Sequence, residues 1–221
     1  MFKTEMHLHT AEVSRCGKMR ANELVRAYKE VGYSTVFVSD HFQANTLDAL
    51  GDIPWAEKVS IFLSGYYAAK YEGDRIGVAV LPAAELCFGG GDPNHYLLYG
   101  ITKEFLTAYE NLHTVGIERL REIARAEGLL LIQAHPHRDG HCHPRPEMVE
   151  GFEVYNSNPR HNDMSDQSFA IAAKHGLLMI GGSDAHREED VGGSGVLTEE
   201  RIESAAQLIR LLKAGKCEVI R

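Results

Sequence analysis

The chain has 221 residues, 44% of them hydrophobic and 24% charged, and a formal net charge of −8. This length is enough for one domain with a sizeable core, and no run of residues approaches the roughly 18 apolar positions of a membrane span. The acidic balance disfavours nonspecific binding to nucleic acid. We expect a single domain over residues 1–221. Because no basic region followed by an apolar stretch marks a secretory signal, we expect a cytoplasmic location.

The four cysteines are scattered along the chain and form no C-x-x-C pair. This spacing argues against both a disulfide framework and a zinc ribbon, so we expect reduced thiols. The twelve histidines are the stronger compositional signal, because most of them stand where strands should end.

The first half of the chain reads as strands and helices in alternation. "KTEMHLH" has the alternation of a strand, "RANELVRAYKEVG" has apolar residues at helical spacing, and "STVFVSDH" is typical of a buried strand. A helix is predicted from about Trp55 to Tyr71. The third strand, "GVAVLPAAEL", should end at Glu85, and the fourth, "HYLLYGI", follows the glycine-rich turn "GGGDPN".

The second half continues the alternation. "TVGIERLREIARAEG" predicts a helix, "LLLIQAHPHR" a buried strand, "GFEVYN" a sixth strand and "DQSFAIAAKHG" a helix. "LLMIGGSDAH" is the seventh strand, "EERIESAAQLIRLLKAG" an amphipathic helix and "CEVI" a short last strand. About seven such units predict an α/β fold with a parallel sheet, closed into a barrel or nearly so.

Imidazoles and carboxylates gather where the predicted strands end. His7 and His9 are two residues apart, so in a strand they point to the same face. His95 instead begins the fourth strand, after the glycine-rich turn. Together with His95, the residues at the strand ends make nine that we expect to converge at one end of the barrel: His7, His9, Asp40, His41, Glu85, His95, His135, Asp184 and His186. Burying so many ionisable groups is unfavourable without counter-charges, and metal ions would supply them.

The donor types narrow the choice of metal. Imidazole and carboxylate ligands without thiolate favour zinc, manganese or iron over calcium and magnesium. Two carboxylates that can bridge favour more than one ion. Paired ions suit a hydrolytic displacement at phosphorus, because they generate the attacking hydroxide and clamp the reacting oxygens.

The ordered motifs resemble those of the PHP family, named for polymerase and histidinol phosphatase. They are "HLHT", "VSDH", "AAEL", "NHYLLYG", "AHPHR", "FEVYNS" and "GSDAHR", and they run from His7 to about Arg187. The resemblance implies a distorted (β/α)7 barrel, related to the TIM barrel, with two or three divalent ions. It also implies hydrolysis of a phosphoester by a hydroxide that bridges the metals.

The resemblance also assigns ligands. His7, His9, Glu85 and Asp184 would hold one ion, and Glu85 would bridge to a second held by His95 and His135. His41 and His186 would hold a third. Many family members add a histidine or aspartate a few residues after the first motif, where this chain reads "TAEVSRCGK". Glu12 or Cys16 could stand in there, or the third site could be weak.

Further residues are expected around the metals. Arg138, Arg160 and Arg187 follow strand ends and are candidates for binding a phosphate, with Arg138 also counted as catalytic. Asn156 is a candidate substrate contact. Asp40 is placed with the catalytic group as a carboxylate that orients a neighbouring ligand. His137, or its neighbours in "HPHRDGHCHP", could protonate the leaving alkoxide.

The leading interpretation is a metal-dependent phosphatase acting on a small phosphomonoester such as a phosphorylated metabolite, a nucleotide or histidinol phosphate. A phosphodiesterase or exonuclease acting on nucleic-acid ends is less favoured because of the acidic charge. An amidohydrolase-type barrel also begins with H-x-H, but the Asp40–His41 pair with Glu85 and His95 fits it poorly. A non-catalytic partner of a polymerase is the remaining alternative.

Overall fold

A computed structural model describes every residue from Met1 to Arg221. Its ten strands form one sheet that curls almost into a barrel. The strands are Phe2–Leu8 (β1), Tyr33–Val38 (β2), His41–Phe42 (β3), Ala79–Gly89 (β4), Asp92–Tyr99 (β5), Leu130–Ala134 (β6), Gly151–Asn156 (β7), Leu178–Gly182 (β8), Gly195–Thr198 (β9) and Glu218–Ile220 (β10). The strand order is β10-β9-β1-β2-β4-β5-β6-β7-β8, with β3 paired to β4. An isolated bridge from Leu8 to Ala185 brings the end of β8 back beside β1.

The helices cover the outside of this sheet. They are Ala21–Glu30 (α1), Ala44–Leu47 (α2), Trp55–Phe62 (α3), Ser64–Ile76 (α4), Lys103–Ala108 (α5), Gly116–Ala126 (α6), Ser165–His175 (α7) and Ala205–Lys213 (α8). The apolar positions of α1 at Leu24, Val25 and Tyr28 are fully buried, as an amphipathic helix requires. None of the helices is long and apolar enough to cross a membrane.

The α/β barrel prediction is confirmed, with differences in its parts. β5 runs antiparallel to both β4 and β6, so the expected fully parallel sheet is wrong at this point. The physical reason is that a short glycine loop joins β4 directly to β5, and such a hairpin forces antiparallel pairing. β4 also continues to Gly89, which puts Glu85 inside the strand and not at its end.

Other predicted elements shift or divide. The helix expected from Trp55 to Tyr71 is two helices, α3 and α4, that meet at Leu63. The short strand β9 and the helix α5 were not predicted. β9 pairs antiparallel with both β1 and β10, so it joins the predicted last strand to the rest of the sheet. Four-residue strands and six-residue helices carry too little periodicity to be read from sequence.

The interior of the barrel has an apolar half, which we call the apolar layer. Its buried side chains come from the strands and from α8, and they form one cluster that includes Met6, Phe37, Leu97, Tyr99, Ile132, Ala134, Ile180, Val196, Leu208 and Leu211. Met6 and Ala134 directly precede His7 and His135, so the polar residues begin where the apolar layer ends. Larger clusters fill the space between the sheet and the surrounding helices.

Candidate metal centre

Eight side chains meet at the polar half of the barrel interior, and we call this group the metal centre. Its members are His7, His9, His41, Glu85, His95, His135, Asp184 and His186. Glu85 lies among five of the imidazoles and is only 1% exposed. Its Oε1 is 2.8 Å from His95 Nδ1 and 3.2 Å from His135 Nε2. Its Oε2 is 2.8 Å from His41 Nδ1 and 3.3 Å from His9 Nε2.

Asp184 is the second carboxylate of the centre. Its Oδ1 lies 3.1 Å from His9 Nε2 and 3.5 Å from His7 Nε2. The two Nε2 atoms of His7 and His9 are themselves 3.1 Å apart. The pair therefore points its ring nitrogens to one place, as their spacing in the sequence predicts.

Several buried donor atoms in the centre have no hydrogen-bond partner. They include His41 Nδ1, Glu85 Oε2 and Asp184 Oδ2. His41 Nδ1 and Glu85 Oε2 are close, at 2.8 Å, yet form no hydrogen bond. Buried polar atoms without a partner are rare in native interiors. This donor set fits divalent cations.

The donors divide into three overlapping groups. These are His7 with His9 and Glu85, His41 with Glu85 and His95, and His9 with His41 and His186. Within each group the ligand atoms lie within 4.8 Å of one another. Glu85 belongs to two groups, as a bridging carboxylate would. The arrangement has room for more than one ion, and the assignment of single residues to single ions stays a prediction.

A β-bulge turns His7 toward the centre. The pairing of β1 with β2 shifts register between Glu5 and Leu8, which lets Met6 join the apolar layer while His7 joins the metal centre. The Glu5 carboxylate stabilises this irregular backbone, since its Oε1 accepts the N–H groups of Met6, His7 and Ser183 at 2.8–3.0 Å. Complete burial raises the pKa of Glu5 to about 7.

Glu153, on β7, supports two members of the centre at once. Its Oε1 accepts from His7 Nδ1 at 2.9 Å, and its Oε2 accepts from the backbone N–H of His135 at 2.9 Å. The first contact leaves His7 Nε2 free for a cation. Glu153 and Glu5 are functional residues that the sequence reasoning missed. The available signal was a glutamate in each of two otherwise apolar strands, "KTEMHLH" and "GFEVYN".

Two members of the centre have a left-handed backbone. His135 has φ 29° and Asp184 has φ 50°, values that are unfavourable for residues other than glycine. The structure holds both in place: Glu153 accepts from His135 N, and Asn158 Nδ2 donates to the Asp184 carbonyl at 2.9 Å. Backbone strain of this kind concentrates at functional sites.

The charges inside the centre shift its pKa values strongly. Burial opposes ionisation of Glu85, but the neighbouring His41, His95 and His7 outweigh it and hold the pKa of Glu85 well below its usual range. Burial likewise lowers the pKa of His95, yet the Glu85 charge and hydrogen bonds to Cys87 and Glu85 raise it to about 9. For His9, burial and the neighbouring His41 hold the pKa well below its ordinary value.

Asp40 lies behind the ligands and organises the loop that follows β1. It accepts hydrogen bonds from Thr10 N, Thr10 Oγ1 and Ser14 Oγ at 2.6–2.8 Å. Ser14 Oγ in turn lies 3.4 Å from His9 Nδ1. Asp40 is thus linked to His9 through Ser14, and its role in orienting a ligand stays a prediction.

Of the three arginines, Arg138 lies at the metal centre. Its Nη1 is 3.2 Å from His135 Nε2 and 3.8 Å from Asp184 Oδ2, and its side chain is 22% exposed. Arg160 forms a two-pronged ion pair with Asp190 at 2.6 Å. Arg187 is half exposed and lies 3.6 Å from Glu189.

A cavity of about 240 Å³ adjoins the centre at His186. The other residues around it are mostly basic or polar: Cys16, Lys18, Asn158, Arg160, His161 and Arg187. Arg160 and Arg187 therefore share a cavity next to the centre, even though each also has an acidic neighbour.

Two predicted site residues have other partners in the structure. Asn156 Nδ2 donates to Glu153, and its Oδ1 accepts from Asn158 N, so both ends of the amide are used within the protein. His137 Nδ1 lies 3.0 Å from Ser168 Oγ on α7. The structure therefore does not bring His137 into the group of ligands, and its role as a proton donor stays a prediction.

The two residues proposed to complete the third site are separated by the fold. Glu12 Oε2 accepts from Ala21 N, at the start of α1. Cys16 instead lies beside His41 and His186. Burial raises the pKa of Cys16, but hydrogen bonds with the two imidazoles outweigh it and lower the pKa to about 6.

Comparison with known proteins gives one family match and several structural likenesses. A family model described as PHP-associated (PHP_C) matches residues 159–217, about a quarter of the chain. This segment includes Asp184 and His186. No curated protein sequence matches the chain.

Three solved structures cover 99% of the chain. A two-domain protein from Bacteroides vulgatus, containing a predicted PHP-like metal-dependent phosphoesterase, has a TM-score of 0.71 at 17% identity, and 64% of it is covered. The lesion-specific endonuclease PfuEndoQ of Pyrococcus furiosus has a TM-score of 0.64 at 16% identity, and the match covers 57% of the endonuclease chain. An amidohydrolase from Chromobacterium violaceum with bound sulfate has a TM-score of 0.57 at 15% identity, and the match covers 98% of the amidohydrolase chain.

The chain thus spans less than two thirds of the Bacteroides and Pyrococcus proteins. At these identities the likeness concerns the fold. Together with the PHP-associated segment, it confirms the resemblance drawn from the motifs: the chain has a PHP-type barrel.

Proposed function

We propose that the protein is a metal-dependent phosphoesterase that hydrolyses small phosphomonoesters. The observation that carries this proposal is the metal centre itself, in which buried, unpartnered donor atoms converge around Glu85 with Arg138 at their edge. Bound divalent ions of zinc, manganese or iron would supply Lewis acidity toward phosphoryl oxygens and a lowered pKa for water. His7, His9, Glu85, His95, His135 and Asp184 would hold two ions, and His41 and His186 would hold a third.

Arg138 is the cation best placed to bind the phosphate. Its guanidinium is partly exposed and reaches two members of the centre without a close carboxylate partner, since Asp184 Oδ2 is 3.8 Å away. Arginine offers paired N–H groups that match phosphate oxygens. Arg138 would orient the phosphoryl group and stabilise the negative charge that grows on it during hydrolysis.

The adjoining cavity favours a small substrate. Its 240 Å³ is below the size of a typical pocket for a drug-sized ligand, which is about 300–1,000 Å³. Lys18 and Arg187 are exposed cations at this cavity and would attract an anionic substrate. The net charge of −8 weighs against a long polyanion.

A second candidate is hydrolysis of phosphodiesters at nucleic-acid ends. The specific observation for it is the fold shared with a lesion-specific endonuclease. The two candidates differ in product, because a phosphomonoesterase releases inorganic phosphate and a nuclease releases nucleotides.

The test is a panel of phosphomonoesters, phosphodiesters and short single-stranded oligonucleotides, assayed after separate loading with manganese, zinc and iron. We expect phosphate release from monoesters. Arg138→Ala should lower kcat/KM about 10- to 150-fold, because a charge-assisted hydrogen bond contributes about 1.5–3 kcal/mol. Arg119→Ala is the matched control, since this exposed arginine pairs with Glu122 on α6, and it should leave kcat/KM unchanged. Nucleotide release would favour the second candidate, and no turnover of any phosphoester would contradict both.

A further inference from the structure

His161 lines the cavity that adjoins the metal centre at His186. A phosphoester with its phosphoryl group at the centre would place its leaving group in this cavity, because the cavity is the open space beside the ligands. His161 is the one imidazole at the cavity that is not assigned to a cation. It therefore lies where the leaving oxygen of a substrate is expected.

The ring of His161 is held by a carboxylate. Its Nδ1 donates to Asp139 Oδ2 at 2.8 Å, which leaves Nε2 as the ring nitrogen without a partner in the protein. Both side chains are 36% exposed, so the pair lies in reach of a substrate and of solvent. A carboxylate in this position fixes the orientation of an imidazole and stabilises its protonated form.

Two loops are joined where this pair forms, the loop after β6 with Asp139 and the loop after β7 with His161. Asp139 N donates to Asn162 O, and Asn162 N donates back to Asp139 Oδ1, both at 2.8 Å. The hydrogen bond from Asn162 N, and then that from His161, lower the pKa of Asp139, so its carboxyl group stays ionised near neutral pH. Asp139 also has φ 53°, a left-handed value that is unfavourable for residues other than glycine. Strain of this kind concentrates at functional sites.

The other candidates for giving a proton to the leaving group are less suitable. Lys18 and Arg187 also line the cavity, but they hold their protons too firmly, since an efficient acid has a pKa near the working pH. Imidazole meets this condition. His137, the proton donor expected from the sequence, contacts Ser168 and does not line the cavity.

We propose that His161 is the general acid of the hydrolysis and that Asp139 positions it. This inference rests on the proposed function, because it concerns the leaving group of the same reaction. Water loses one proton to solvent and adds to phosphorus, while the bond from phosphorus to the ester oxygen breaks and leaves its electron pair on that oxygen. The oxygen takes the proton of His161 Nε2, the alcohol departs, and His161 regains a proton from solvent. Alkyl esters need this proton because an alkoxide is a poor leaving group, whereas a nitrophenolate leaves without it.

The test compares β-glycerol phosphate with p-nitrophenyl phosphate as substrates of the full-length, metal-loaded protein. We expect His161→Ala to lower kcat for the glycerol ester about 100- to 10,000-fold, the usual contribution of a general acid, and to leave kcat for the nitrophenyl ester nearly unchanged. Asp139→Asn should show a smaller loss with the same selectivity, since it keeps an oxygen that accepts from Asn162 N. His175→Ala is the matched control, because this histidine is exposed at the end of α7 and should affect neither ester. Elemental analysis should find the same metal content in all four proteins.

The outcomes separate this inference from the proposed function. Equal losses for both esters in His161→Ala would overturn it, because a residue needed only for the fold cannot distinguish leaving groups. A selective loss in His137→Ala and not in His161→Ala would assign the proton to His137 instead. Should His161→Ala fail to fold, Asp139→Asn decides, and an unchanged ratio of the two rates in that variant contradicts the proposal. No turnover of either ester by the unmodified protein would contradict the proposed function and this inference with it.

Discussion

The apolar layer and the metal centre occupy the two halves of one barrel interior and are built in opposite ways. In the apolar layer, side chains from seven strands and α8 are buried against each other. In the metal centre, backbone register shifts, left-handed residues and unpartnered donor atoms occur together. The contrast indicates that the apolar layer stabilises the fold. The metal centre destabilises it locally, because its strained backbone and unpartnered atoms are needed to position the ligands.

Removing the central carboxylate is expected to have the largest effect. Glu85→Gln takes away the charge shared by His41, His95 and His135, so two of the three ligand groups lose their anionic member. We expect loss of bound metal and a fall in kcat/KM of more than about a thousandfold, equivalent to about 4 kcal/mol. Elemental analysis and steady-state kinetics measure the two effects. Retained metal with full activity would show that Glu85 is not a bridging ligand.

A change in the apolar layer should act on stability alone. Leu211 on α8 is 1% exposed, so Leu211→Ala should lower the free energy of unfolding by about 2–5 kcal/mol. Urea unfolding of the metal-free protein measures this change. Metal content and kcat/KM of the folded variant should stay within about twofold of the unmodified protein. A large loss of metal at unchanged stability would mean that the apolar layer also determines metal binding, which contradicts the division between the two halves.

The pH dependence of stability gives a smaller and more specific test of the polar half. Asp163 follows β7 and accepts from Asn156 N, and burial, with the nearby Glu153 charge, raises its pKa to about 7. The unfolded chain loses this proton near pH 4, about its ordinary value. Between these pH values the folded protein binds more protons, so the contribution of Asp163 to stability falls as the pH rises.

Asp163→Asn removes this titration while keeping an oxygen acceptor for Asn156 N. The stability of the unmodified protein relative to Asp163→Asn should fall between about pH 4 and pH 7, by at most about 1.4 kcal/mol per pH unit. Chemical unfolding of both proteins in the presence of chelator measures the difference in their free energies of unfolding. The histidines titrate alike in both proteins, so their contribution cancels in this difference. A difference that stays constant with pH would show that Asp163 is ionised throughout.

The sequence predicts the metal centre well because strand alternation and strand order decide where side chains meet. His7 and His9 had to share a face, and the ends of parallel strands had to share an edge of the sheet. His95 was harder, since it reaches the centre from β5, an antiparallel strand. Its register is set by the hairpin with β4, where His95 pairs with Cys87 two residues beyond Glu85.

The supporting residues could not be predicted from the sequence in the same way. Glu5 and Glu153 act at bulges, and a bulge depends on how two strands pair and not on the residues of one strand. The partner of Arg160, Asp190, is 30 residues away and was not expected. The positions of Glu12 and Cys16 were also not predictable. They are four residues apart in one loop, but Glu12 contacts the start of α1 whereas Cys16 lies at the edge of the metal centre.

The single bridge between Leu8 and Ala185 has a consequence for when the metal centre can form during folding. His9 contacts Asp184 across 175 residues of chain, so the first and last motifs meet only after nearly the whole sequence has been ordered. Closing such a loop is slow because of its entropy, and contacts of this range form late in folding. During synthesis, a chain that ends before Asp184 would hold most of the barrel and eleven of the twelve histidines, yet it would lack the strand end that completes the first metal position. Metal loading should therefore be one of the last events in the maturation of this protein and a sensitive report that folding is complete.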